Sequence, residues 1–402
     1  MPKENIAIIG GGPTAFLFAA FVDTEKFDVT IYEKNKQFGR KFLVAGKGGF
    51  NLTHSEDIWS FIERYTPNDF LQKALLDFTN DDLRNWLKEI GIPTIIGSSH
   101  RVYPENGIKP IEVLDKILAS IQSKGVQFKF EHEWTGWNEK EELRFDISAS
   151  SMTEVSVKAD KVVFALGGAS WAVTGSTGNW LSIFEKKNIQ TAPFQPSNCA
   201  FKIDWDKQFI NTFEGQPLKN CSISCGKKTQ KGEGIFTKFG LEGNIIYALS
   251  SEIREQLNAI GSASIFIDFK PIFSEKEVLE KLNSPDQKNT SDTLKKVLKL
   301  SPAQIALVKS VTSKEEFTNS KIVTKYIKQF PLKVTGTATI DEAISTVGGI
   351  QRKELTSTFE LKLLPNHYCI GEMVDWDAPT GGYLLQGCFS MGVFLARNLI
   401  TD

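Results

Sequence analysis

The sequence predicts an α/β protein in which a Rossmann-like domain made of two chain segments is interrupted by an inserted β-rich domain and a helical subdomain. Three observations predict it. A short apolar run, Ile6-Ala7-Ile8-Ile9, passes through a glycine-rich turn into a long apolar stretch. Two later apolar runs, from Lys161 and from Tyr368, end in glycines in the same way. Between them the pattern changes to short β-type runs and then to helical spacing. The expected boundaries are 1–195 for the first segment, 196–270 for the β-rich insert, 271–335 for the helical part and 336–402 for the second segment.

Composition bounds the function. A chain of 402 residues is long enough for two or three domains with a sizeable core, and 41% hydrophobic with 24% charged residues is ordinary for a folded globular protein. The formal net charge of -1 offers no global field to nucleic acid or to an anionic membrane, so neither is expected as a partner. Five scattered cysteines, at 199, 221, 225, 369 and 388, fit reduced thiols and a cytoplasmic protein. The apolar stretch Ile6 to Val22 is broken by Gly10-Gly11-Gly12-Pro13 and closed by Asp23 and Glu25, unlike a signal peptide. No run of about 18 apolar residues occurs, so no membrane span is expected.

The first element carries the chemistry. After Ile6–Ile9 come Gly10-Gly11-Gly12-Pro13-Thr14-Ala15 and then Phe16 to Val22, which together make strand, G-x-G-x-x-A, helix. Gly10 permits the tight turn, Gly12 lets the backbone approach a pyrophosphate, and Ala15 is small enough for the helix to pack on the strand. Free N–H groups and the positive end of the helix dipole favour an anion there. A second strand, Val29-Thr30-Ile31-Tyr32, ends at Glu33, whose carboxylate is placed to accept from an adenosine ribose and to repel a 2′-phosphate. The cofactor is therefore FAD or NAD rather than NADP.

The run Lys34 to Thr53, KNKQFGRKFLVAGKGGFNLT, is basic and rich in glycine, as a backbone lying along a flavin and its diphosphate requires; the other reading is a flexible surface loop. Lys161 to Gly168 is another buried strand ending in paired glycines, of the kind that in two-part FAD domains passes near the dinucleotide, although taken alone a simple strand-to-turn glycine is the better reading. Tyr368 to Asp375 reads as a strand emerging into an acidic turn, and Thr380-Gly381-Gly382-Tyr383-Leu384-Leu385 opens a final helix reaching about Leu399. Its N-terminus can stabilise negative charge at the pyrimidine edge of a flavin.

In the middle, Cys221–Ser224 and Ser264–Ile267 read as strands, while Val278, Leu279, Leu282, Leu294, Val297 and Leu298 fall at helical spacing. Ala338 to Val347 is expected to return the chain to the first domain. No second strand-G-x-G-x-x-G-helix unit marks a nicotinamide domain, so NAD(P)H is expected only as a transient visitor. Cys221 and Cys225 read as ordinary buried thiols, and no metal-ligand spacing occurs. His54, Arg101 and Tyr103 lie in motif-bearing loops and are the candidates to orient or protonate a substrate carbonyl. A capping histidine, a structural ion pair and a packed tyrosine are the alternatives.

Six blocks in order, AGKGGFNLTHSE (45–56), RVYP (101–104), ALGGASWAVTGSTGN (165–179), KGEGIFTKFGLEGN (231–244), STVGGI (345–350) and GEMVDWDAPTGGYLLQ (371–386), resemble the bacterial BaiN/YhiN-like flavoprotein family across nearly the whole chain. The resemblance implies FAD, bound by a two-segment domain. It implies that Gly10, Gly12, Pro13, Thr14, Ala15, Glu33 and Lys34 hold the adenosine diphosphate half, and that Lys41, Gly48, Gly49, Asn51 and Thr53 line the flavin loop. Ala165, Gly167 and Gly168 would lie beside the dinucleotide, Gly371 and Glu372 toward the ribitol, and Gly382, Leu384 and Leu385 would offer backbone to the ring. Where many relatives carry Arg-Cys-Asn, this chain has Gly49-Phe50-Asn51, so no thiol role exists there. The expected function is an FAD-dependent oxidoreductase acting by hydride transfer through flavin N5 on a small carbonyl, amine or conjugated unsaturated substrate. The competing expectation is a flavin-holding redox sensor without turnover of its own.

Overall fold

The computed structural model describes residues 2–45, 49–147, 153–284 and 289–400. They form two compact units, one from Met1–Gln195 with Ile344–Asp402 and the other from Pro196–Ala343.

In the first unit a five-stranded, all-parallel sheet has the order His367–Cys369, Lys161–Phe164, Glu4–Ile9, Phe27–Tyr32, Gln127–Lys129. Ile6, Ile8, Ile9, Val29, Ile31, Val162 and Val163 are all buried, because parallel strands covered on both faces need apolar residues at successive positions. The helix Pro13–Phe21 is apolar on every side, and Thr14 to Ala19 are buried. It lies between the sheet and the final helix Tyr383–Asn398. Gly392 makes that packing possible, since a Cβ there would stand 2.5 Å from the Thr14 carbonyl oxygen. Beside this layer, Thr53–His54, Arg101–Pro104 and Thr94–Ile96 form a small antiparallel sheet. A three-stranded meander covers His132–Trp137, Leu143–Ile147 and Thr153–Val157.

The second unit is a seven-stranded antiparallel sheet in the order Phe330–Val334, Ala263–Asp268, Pro217–Cys225, Lys228–Phe236, Gly240–Glu242, Phe201–Lys202, Gly336–Thr337. Five helices between Glu275 and Lys328 accompany it. Ile223, Ile265 and Ile267 of the sheet share one core with Val278, Leu294, Val308, Val323 and Ile327 of the helices, so the expected division at 270 does not separate two cores. The expected return to the first unit at 336 is also corrected, to Ile344. Gly336–Thr337 pairs with Phe201–Lys202, and those backbone bonds hold it in the insert's sheet. Cys221 and Cys225 are buried free thiols, and burial pushes them up to about 12 and about 11.

Candidate functional site

The turn after the first strand is held from both sides. Gly10 sits at φ +104, where a Cβ would come 2.5 Å from the Ala165 carbonyl oxygen. Side chains are excluded there by conformation and by the neighbouring strand end alike. The Gly11 carbonyl accepts from the Gly39 N–H at 3.0 Å, and its own N–H donates to Glu33 Oε2 at 2.8 Å. Gly12 differs: a Cβ at this position would meet no atom of the described residues within 4 Å. Its bareness therefore answers to something other than the packing of the chain, as a diphosphate approaching the backbone requires. Pro13 opens the helix, and neither a side-chain cap nor an acidic residue occupies its first turn. Ala15 is fully buried against the sheet.

Glu33 is only 8% exposed and accepts three hydrogen bonds, from Gly11 N, Asn35 N at 2.9 Å and Asn35 Nδ2 at 2.5 Å. Arg40 in turn donates to Asn35 Oδ1 at 2.8 Å. A carboxylate has about four acceptor positions, so one remains for a ribose hydroxyl. Lys34 turns aside, with Nζ 3.8 Å from Glu133.

Lys41 stands where the flavin loop meets the second chain segment. Its Nζ lies 3.0 Å from Glu372 Oε2 and donates to Ser170 Oγ at 2.7 Å. Glu372 also accepts from the Thr346 N–H at 3.0 Å. Gly168 carries no side chain because a Cβ would fall 2.2 Å from Thr346 Oγ1 and 2.9 Å from Glu372. Gly371, at φ +85, takes the Thr14 side chain against its backbone, 2.5 Å from where a Cβ would be. These contacts bring Thr14, Lys41, Gly168, Gly371 and Glu372 into one place, beside Gly10 and Ala165. Gly167 adopts φ +72 in the same turn.

The final helix begins at Gly382, φ +105, again with no side-chain cap and no acid in its first turn. Eight of the other described helices start with a side chain accepting from the N3 backbone, at Asp57, Thr79, Asp206, Ser274, Asn289, Ser301, Ser313 and Asn319. A Cβ on Gly382 would overlap the Thr53 backbone at 2.4 Å, so the helix start is pressed onto the strand Thr53–His54. Leu384 and Leu385 are half-buried in its first turn. Thr53 is fully buried, and its hydroxyl has no hydrogen-bond partner among the described residues. An orphaned buried hydroxyl costs about 1–3 kcal/mol unless a ligand or water meets it. Asn51 folds back with its N–H on the Gly49 carbonyl at 2.9 Å; Gly49 is at φ +110, and Gly48 lies outside the described residues. Two uncapped helix N-termini, the bare Gly12 and the orphaned Thr53 hydroxyl together fit an extended, anionic dinucleotide.

The three predicted catalytic residues fare differently. His54 Nδ1 accepts from the Glu56 N–H at 3.1 Å. Burial, the largest cause, holds its pKa below the ordinary histidine value. Its Nδ1 is thus taken up by its own loop. Arg101 and Tyr103 alternate with buried Val102 and Pro104, so both half-buried side chains share one face of their strand. Neither side chain has a hydrogen-bond or ion-pair partner among the described residues. Arg101 Nε is 3.5 Å from the Cβ position of Gly381, and the Tyr103 ring 3.7 Å from that of Gly49. A guanidinium and a phenol thus face bare backbone at the flavin loop and the final helix.

Sequence reasoning missed Asn35, Ser170 and Thr346, and also Glu56, Arg64 and Tyr383. A signal existed only for Asn35, a side chain two residues after the strand-end acid and able to bond it locally.

Residues 4–398 match the family described as HI0933-like protein Rossmann domain. A ribosomal RNA dihydrouridine synthase of Haemophilus influenzae is 25% identical over 411 residues, covering 99% of this chain and 98% of that one. A 3-dehydro-bile acid delta(4,6)-reductase of Clostridium scindens is 22% identical over 415 residues, with 98% of each chain covered. Among solved structures, the Sdh1 complex of Mycobacterium smegmatis in the apo form superposes with a TM-score of 0.50 at 13% identity. It covers 100% of this chain and 70% of that chain, a likeness of fold alone.

Proposed function

The chain belongs to the HI0933-like Rossmann family of FAD-dependent oxidoreductases, and on that premise we propose that it reduces a carbon–carbon double bond conjugated to a carbonyl. The observation that carries the proposal is the pair Arg101 and Tyr103, two polar side chains on one strand face beside Gly49 and Gly381 that have no partner among the described residues. The names of both curated relatives denote saturation of such a bond, in a uracil ring for one and in a 3-oxo steroid for the other.

Bound FAD supplies the hydride chemistry. The protein's own part is electrostatic and acid–base. Hydride arriving at the β-carbon drives negative charge onto the carbonyl oxygen, where the fixed guanidinium of Arg101 stabilises it. The phenol of Tyr103 gives a proton to the α-carbon, so the product gains one hydride and one proton across the former double bond. His54, its Nδ1 held by the Glu56 N–H, supports the loop. The reducing equivalents come from a nicotinamide that visits the site without a domain of its own.

A second reading, an RNA uracil as the substrate, is supported by the name of the Haemophilus relative, 25% identical against 22% for the Clostridium one. One experiment addresses both. The FAD-loaded protein, reduced anaerobically, is mixed with a 3-oxo-Δ4 steroid, with ribosomal RNA, or with a saturated ketone, and return of the flavin absorption band is followed. Reoxidation by an enone but not by the ketone is expected, with Arg101→Met slowing it about 100-fold, within the range for a lost charge stabiliser. Reoxidation by RNA alone selects the second reading. Equal rates for Arg101→Met and wild type with any acceptor would remove Arg101 from the mechanism.

A further inference from the structure

A polar cluster lies at the first residue of the final helix, outside the contacts assigned above. Tyr383 donates its hydroxyl proton to Glu56 Oε1 at 2.5 Å. The Glu56 carboxylate is gripped from the other side by Arg64, Nε to Oε1 at 3.0 Å and Nη2 to Oε2 at 2.8 Å. The backbone carbonyl of Tyr383 accepts from the buried Tyr65 hydroxyl at 2.6 Å. Asn80 Nδ2 donates to the carbonyls of His54 at 2.7 Å and Glu56 at 3.0 Å, and the His54 and Tyr383 rings stack with centroids 5.2 Å apart. Glu56, Tyr65 and His54 contact Tyr383 directly and tie the segment 53–56 and the residues after the short helix to the start of the final helix, while Arg64 and Asn80 brace Glu56 and the 54–56 backbone from behind.

The chemistry of the cluster is that of a clamp. Arg64 and Glu56 form a two-pronged pair, and such charge-assisted forks restrict geometry more tightly than single bonds. Burial pushes Glu56 up, but hydrogen bonds from Arg64 and Tyr383 outweigh it and keep the carboxyl below its ordinary range. Burial first, and the Glu56 acceptor second, push the Tyr383 phenol far above the ordinary tyrosine value. Tyr383 thus keeps its own proton, which it donates in a hydrogen bond to the Glu56 carboxylate and does not offer to a substrate. What the clamp fixes is position: the dipole field of a helix N-terminus falls off within about one turn, so small displacements of that terminus change the charge felt by a group in front of it.

We propose that Glu56, Arg64 and Tyr383 are positioning residues that lock the N-terminus of the final helix against the Thr53–His54 strand, and thereby set the affinity and reduction potential of the bound FAD. The inference rests on the placement of FAD at this helix and not on the identity of the substrate.

The test uses the full chain, stripped of flavin and titrated with FAD by fluorescence quenching, with the midpoint potential measured on the reloaded protein. Tyr383→Phe keeps the ring stacked on His54 and removes only the hydroxyl. It is expected to weaken FAD about tenfold and to weaken reduced FAD about tenfold more. The second factor is a potential about 30 mV more negative for a two-electron couple. Glu56→Gln, which still accepts from the phenol, is expected to do less, and the double variant less than the sum of the two, because they share one hydrogen bond. If Tyr383→Phe lowers the melting temperature but leaves both FAD affinity and potential at wild type, the cluster is merely structural and the proposal is wrong. Should that variant not fold, Arg64→Lys, which keeps the charge and loses the fork, decides by the same two readouts, and no change in either overturns the clamp. Gly12→Val serves as control: wild-type FAD binding by that variant would show that the site itself is misplaced, a failure distinct from that of the clamp.

Discussion

Replacing Glu33 by alanine separates the carboxylate's duty toward the protein from the duty toward the cofactor proposed for it. In the protein it satisfies the buried Gly11 N–H and holds Asn35 through two bonds. Loss of the Gly11 partner alone leaves a buried donor unpaired, at about 1–3 kcal/mol. For a unit of this size each kcal/mol corresponds to about 2–4 °C, so the flavin-free protein is expected to melt roughly 2–10 °C lower. Toward FAD, the remaining acceptor position makes one charge-assisted bond of about 1.5–3 kcal/mol, so affinity should fall a further ten- to hundredfold. Glu33→Gln presents one oxygen and one NH2 to a site whose donors flank both oxygens, so it rescues one side only. Its melting temperature and affinity should both lie between those of alanine and wild type. Differential scanning fluorimetry of the flavin-free protein and a flavin-release titration give the two numbers independently. Wild-type affinity in both variants, with lowered melting temperature, would falsify the ribose contact and leave Glu33 as the brace of the glycine turn.

Further outcomes follow from the same geometry. Gly12→Val should leave the flavin-free melting temperature nearly unchanged, because its Cβ meets no atom of the described residues, while abolishing FAD retention. Gly11→Ala should instead cost about 1–3 kcal/mol of stability, since its Cβ would overlap the Phe38 ring at 2.0 Å; thermal melts of the two flavin-free variants check the contrast. His54 and His367 are both held below the ordinary histidine value, chiefly by burial. His367 takes the Trp137 indole N–H on Nε2 and faces the Pro365 carbonyl through Nδ1, an arrangement that suits the neutral ring. The unfolded chain then binds more protons than the folded one below about pH 6.5, so this stability is complete above that pH and declines as pH falls. Each histidine contributes at most about 1.4 kcal/mol per pH unit, and His367→Asn should flatten the slope of melting temperature against pH between 7.5 and 5.5.

Much of the nucleotide-binding framework is written locally. Ile6 to Ile9, Gly10-x-Gly12-x-x-Ala15 and Glu33 lie within about thirty residues, and the same short-range rules that make them recognisable also build them. Apolar runs covered on both faces have little choice but a parallel sheet, and the helical spacing of Val278 to Leu298 needs only the period of a helix. The site's polar groups are of another kind. Lys41 and Glu372 stand 331 residues apart in sequence, and Glu56 and Tyr383 stand 327 apart. No local pattern distinguishes a charged residue that will meet a partner across the fold from one that will face water. His54 shows the same limit in reverse, since its loop position suggested acid–base work and its Nδ1 is taken up by the Glu56 N–H two residues on. The boundaries inside the insert were likewise decided by long-range pairing, where Gly336–Thr337 joined a strand 135 residues earlier, Phe201–Lys202. The sequence by itself determined the fold class and the dinucleotide turn, because these rest on backbone conformation and burial period. Only the tertiary structure decided which side chains share a site, because hydrogen bonds and ion pairs are interactions of distance in space and carry no period along the chain.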